Sequence, residues 1–148
     1  MKSARTLIGL PVILECKPLG YICQATPDER LDHLERIYFS SGTGARMIER
    51  DQVDAIGEVA MLVHAPGKRA QLPESFWPRR AISTDGARLG AIADAAFDET
   101  SLAVKHLILY RSWTDAFLGG VPVTAFCRDL DSDRVIVSQS LSEKEEEP

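Results

Sequence analysis

Apolar positions along this chain come in short runs, many of them alternating, cut at close intervals by Gly, Pro, Asp and Ser, a pattern that predicts strands and little helix. Residues 11–14 predict a first strand, 21–26 a second and 34–39 a third, the last apolar on both faces toward its end, as in a strand crossing a core. Residues 40–45, with two glycines, predict a loop, 47–48 a short strand, 50–55 a turn or single helical turn, and 60–63 a closing strand. The order then returns: strand 80–84, turn 85–88, strand 89–97, turn 98–101, strand 104–111, loop 112–120, strand 120–124, polar turn 129–133 and closing strand 134–138.

The return is an internal duplication. At an offset of seventy positions Leu19/Leu89, Gly20/Gly90, Ile22/Ile92, Ala25/Ala95, Asp28/Asp98 and Glu29/Glu99 are identical, and Val12/Ile82, Leu34/Val104 and Ile37/Leu107 keep their character. Farther on, Met47 aligns with Val121 and Met61-Leu62-Val63 with Val135-Ile136-Val137, so the offset has grown to seventy-four. The four added residues fall within 112–120, a loop carrying Trp113, Phe117 and Leu118 where its counterpart at 40–45 is small and polar. The organisation expected is a first repeat at 1–64, a Pro-containing linker at 65–79, a second repeat at 80–140 and an acidic disordered tail at 141–148. Pro66, Pro73 and Pro78 mark the linker, which is locally basic through Lys68, Arg69 and Arg79 and has Phe76-Trp77 to bury.

Each repeat is small. A unit of about 60 residues buries only about 60% of the surface its unfolded chain exposes, so the repeats are expected to pack on each other or on a second chain. The net charge of −5 is carried largely by residues 142–147, which predict a solvated tail. Cys16, Cys23 and Cys127 have neither zinc nor redox spacing, which suits a reducing cytoplasm. The apolar run at 7–14 is short and contains Pro11, so it reads as a strand rather than a signal-peptide core, and no segment reaches the roughly 20 apolar residues of a membrane helix.

The second repeat opens Asp85-Gly86-Ala87-Arg88-Leu89-Gly90-Ala91-Ile92-Ala93-Asp94, a turn and strand that resemble a PRC-barrel domain; the first repeat departs from the pattern with Glu15-Cys16-Lys17-Pro18 at the turn and Gln24 in place of Asp94. Residues 47–57 are similar to the family's short strand and turn before its last strand. PRC barrels occur in the cytoplasmic part of the photosynthetic reaction-centre H subunit and in the ribosome maturation factor, and the organisation here resembles small bacterial proteins made of two tandem copies. The resemblance implies two tandem small β-barrels, mainly β, that dock partners and do not catalyse.

Candidate chemistry is sparse. His33, His64 and His106 share no metal or catalytic spacing, and no base is implied beside Cys23 or Ser138, so no enzyme activity and no cofactor is expected. Nucleic acid contact is expected only indirectly, through ribosomal particles by analogy with the maturation factor, because the basic residues are scattered over an acidic chain. The favoured site is partner binding or self-association through Trp113, Phe117, Leu118 and Trp77, since large apolar side chains on loops anchor partners, although the same residues could instead close a barrel end or pack between the repeats. An alternative is a small ligand or divalent metal at Asp94, Asp98 and Glu99, where strand spacing puts the first two on one face.

Overall fold

The computed structural model describes residues 2–83, 85–128 and 134–138, and its chain is mainly β. It opens with β1 (Lys2–Ser3) and the single helical turn α1 (Ala4–Leu7). The first repeat follows as β2 (Pro11–Leu14), β3 (Lys17–Pro27), β4 (Leu34–Ser41), β5 (Gly44–Glu49), β6 (Val53–Ile56) and β7 (Met61–Val63), with β8 (Lys68–Arg69) added by the linker. The second repeat is β9 (Arg79–Ser83), β10 (Arg88–Phe97), β11 (Val104–Tyr110), the helix α2 (Trp113–Leu118), β12 (Val121–Arg128) and β13 (Arg134–Ser138). The predicted polar turn at 129–133 and acidic tail at 141–148 lie outside the described residues.

Both repeats curl their sheet in the same way. In the second, β9 pairs antiparallel with β10 and parallel with β13, so the strand order β10-β11-β12-β13-β9 returns to β10. In the first, the order is β6-β7-β2-β3-β4-β5-β8, with β2 parallel to β7 as β9 is to β13. A 3-10 turn at Arg50–Gln52 separates β5, which pairs with β4, from β6, which pairs with β7. In β12 the same division of partners occurs along one unbroken strand: Val121–Val123 faces β11, and the residues from Thr124 onward face β13.

The duplicated glycines owe their place to a close approach between strands. A Cβ on Gly90, whose φ is +137°, would fall on the carbonyl oxygen of Tyr110, and one on Gly20 would fall on that of Ser40. Tyr110 and Ser40 are themselves repeat equivalents, and the strands on either side of each glycine are shifted in register by a bulge.

The repeats interlock about a pseudo-twofold relation. His33 and Ala103, seventy positions apart, form an antiparallel bridge; Leu34 N–H donates to Leu102 O at 2.9 Å, and Val104 N–H donates to Asp32 O at 2.7 Å. Each turn then sends a leucine into the opposite repeat. Leu31 lies in the core built on Ile92, Leu107 and Val123, and Leu102 in the core built on Leu34, Ile37 and Phe39. Both leucines hold a left-handed backbone, at φ 60° and 62°, which costs about 1–2 kcal/mol in a non-glycine residue. Burying a leucine fully is worth about 1.5–3 kcal/mol, which offsets that cost. Phe97, at the end of β10, is fully buried in the first repeat's core.

Repeat-equivalent polar residues hold the linker and the N-terminal turn. Gln24 Nε2 donates to Pro73 O at 3.0 Å and its Oε1 accepts from Phe76 N–H at 2.8 Å, which fixes the linker. Asp94 accepts from Arg5 N–H at 3.0 Å, fixing α1, while β1 pairs with the end of β10. The N-terminal residues therefore extend the sheet of the second repeat, although the chain continues from them into the first.

Candidate functional site

Residues 112–120 form a helix where the sequence predicts a loop. The cause is local: Asp115 accepts from Arg111 N–H at 2.7 Å and from Arg111 Nε at 3.0 Å, tying the start of α2 to the end of β11. At the other end Gly119 takes the left-handed conformation that closes a helix, at φ 89°, and Gly120 N–H returns to Asp115 O at 2.8 Å. Asp115 is thus buried under this short helix, while Trp113, Phe117 and Leu118 are exposed.

That arrangement gathers three of the exposed large apolar side chains among the described residues in one place. Trp113 is 75% exposed, Phe117 81% and Leu118 79%. One helical turn separates the two aromatic residues, which meet edge to face at 5.9 Å between centroids. They neither close a barrel end nor pack between the repeats. The fourth residue of the predicted set is elsewhere: Trp77 is half-buried, packs against both cores and meets Phe76 edge to face at 4.5 Å. Trp77 serves the junction of the repeats, and only Trp113, Phe117 and Leu118 are brought together.

The carboxylates of the alternative site are already engaged. Asp94 is buried and accepts from the amides of Arg5 and Ala95. Asp98 accepts from the amides of Thr100 at 2.7 Å and Ser101 at 3.0 Å, bonds that hold its carboxyl below the usual carboxylate range. A register shift between Ala96 and Phe97 breaks the strand alternation on which the shared face of Asp94 and Asp98 depended. Glu99 is exposed in the same turn. Among the described residues no group of three or more His, Cys, Asp or Glu side chains is placed to hold a metal ion.

Sequence spacing missed two pairings that need the folded sheet. His64 Nδ1 and Asp54 Oδ1 lie 2.6 Å apart across the β6–β7 hairpin, both exposed, and His33 Nδ1 lies 3.8 Å from Asp28 Oδ2. Cys23 donates its thiol to Tyr38 O at 3.4 Å, and burial pushes its pKa up, so the thiol stays protonated and is a poor nucleophile. No helix among the described residues is long and apolar enough to cross a membrane. No protein-family model matches the chain, and no curated protein matches it.

Asp115 carries a pH dependence. Its carboxyl is held below its ordinary value of 3.8, chiefly by the Arg111 side chain and then by the Arg111 amide. A carboxylate depressed in the folded state contributes stability that is complete above the unfolded value and is lost as pH falls through the lower folded one. Replacing Asp115 by Asn is expected to lower stability at neutral pH and to flatten the loss of stability on acidification below the ordinary carboxyl value of 3.8. Urea titrations of both proteins across that range check it; parallel slopes would contradict the assignment.

Proposed function

We propose that this chain is a non-enzymatic, cytoplasmic docking protein built of two tandem PRC-type β-barrels, and that it associates through α2 with a second copy of itself. The observation that carries the reading is the exposure of Trp113, Phe117 and Leu118 on a helix the first repeat lacks. Barrel closure is supported by the pairing of β9 with both β10 and β13.

Area sets the strength expected of a pairing between two copies. An aromatic side chain buries about 150–250 Å², so Trp113 and Phe117 offer roughly 300–500 Å² and, with Leu118 beside them, the patch is on the order of 500 Å². Two copies facing each other would cover about 900–1,000 Å² in total, below the roughly 1,200–2,000 Å² of stable complexes and within the range of transient ones. A weak dimer is therefore expected. Static light scattering over a concentration series should show the mass rising from that of the 16.3 kDa monomer toward twice that value. The double variant Trp113→Ala/Phe117→Ala should stay monomeric with an unchanged melting temperature. A wild type monomeric at every concentration would exclude the second copy and leave α2 for a different protein, and a variant that loses its fold would assign these side chains to the core.

A further inference from the structure

A cleft of about 520 Å³ lies where the repeats meet, between α1, β3, the linker and β10. Its size falls within the roughly 300–1,000 Å³ of small-molecule sites, which favour junctions between domains. Cys23, Ala25, Ala91 and Ala93 keep it open, because none has a side chain long enough to fill it. Ile8, half exposed, adds to its apolar lining, and Trp77 and Tyr110 contribute aromatic surface.

The polar groups of this cleft divide in an informative way. Gln24 is occupied at both ends by the linker, Ser75 Oγ donates to Trp77 O, and the Cys23 thiol donates to Tyr38 O. The Arg5 guanidinium is exposed and has no ion pair among the described residues, and the Tyr110 hydroxyl has no hydrogen-bond partner among them. An arginine fork pairs with a carboxylate. Asp94, the nearest buried carboxylate in sequence to Ala93, is directed to the amides of Arg5 and Ala95.

We infer that the cleft between the repeats binds a small apolar carboxylate, with Arg5 receiving the carboxylate and the alanine-rich floor receiving the apolar body. The inference is independent of the association proposed for α2. Binding would bridge α1, which Asp94 and the pairing of β1 with β10 already fix to the second repeat, to the linker, which Gln24 fixes to the first.

The test is calorimetric titration of the whole chain with 2-naphthoate and with its neutral counterpart 2-naphthamide. Naphthoate is expected to bind at least about tenfold more tightly, the scale of one charge-assisted hydrogen bond. Arg5→Gln, at an exposed position, should abolish that difference and leave the amide's affinity unchanged. Trp113→Ala/Phe117→Ala should leave naphthoate binding intact, since α2 is a separate surface. Peptide-resolved alkylation adds a positional reading: naphthoate should slow the modification of Cys23, and not that of the exposed Cys16. No binding of naphthoate at millimolar concentration, equal binding of acid and amide, loss of binding in the α2 variant, or equal protection of both cysteines would each overturn the proposal.

Discussion

Replacing Gly90 by Val should lower stability by more than about 3 kcal/mol, because two separate penalties fall on one position. The backbone at φ +137° is a region that side chains rarely adopt, with a cost of about 1–3 kcal/mol, and the new Cβ would overlap the Tyr110 carbonyl and approach Arg111 Cα to 2.9 Å. Neither neighbour yields easily, because both are backbone atoms, one at the last residue of the paired strand β11 and the other just after it. For a chain of this length the expected fall in melting temperature is roughly 10–15 °C. Gly86→Val is the control: Gly86 also has positive φ, +92°, but a Cβ there meets nothing within 4 Å, so only the backbone penalty applies. Equal melting temperatures for the two variants would show that the close approach to β11 carries no weight.

Phe97→Ala should be of similar size and should act across the repeats. A fully buried phenylalanine cut back to alanine costs about 3–5 kcal/mol, including the cavity it leaves. Phe97 belongs by sequence to β10 but lies in the core with Leu34, Ile37 and Ile48. Hydrogen exchange should therefore show faster opening of β3 and β4 amides as well as those of β10 and β11. Loss of protection confined to β10 and β11 would mean that the repeats unfold independently and that the shared core is of no energetic consequence.

The sequence pattern defined the ends of some strands closely. The strands at Pro11–Leu14 and Arg134–Ser138 match their predicted ranges, because turn residues and short apolar runs coincide there. The glycine pair Gly20/Gly90 was visible as a repeat, and its cause, the approach of Ser40 and Tyr110, required the register of the neighbouring strands. What pattern cannot reach is contact over long separations. Lys2–Ser3 pairs with residues 96 and 97, Gln24 holds residues 73 and 76, and Leu31 and Leu102 cross to opposite cores. Linker composition predicted a docked Phe76-Trp77, whereas only the folded chain separates Trp77, at the junction, from the outward trio on α2.

The helix α2 escaped the sequence reading for a different reason. Six residues are too few for helical periodicity to register, and helix formation here depends on Asp115 reaching back to Arg111. A reader of the sequence sees three large apolar residues in an insertion and cannot tell an anchor from a plug. The polar residue between them is informative once its partner is known, because burial of Asp115 turns Trp113 and Phe117, two residues to either side of it on the helix, outward.

The chain's two tryptophans allow the association through α2 to be tested directly. In nitrogen-15-labelled protein each gives one indole N–H signal, and single Trp→Phe variants assign them. If two copies meet through α2, the Trp113 signal shifts progressively with protein concentration while that of Trp77 stays in place. A Trp113 signal that does not move up to millimolar concentration, or a shift confined to Trp77, would contradict the proposed role of α2.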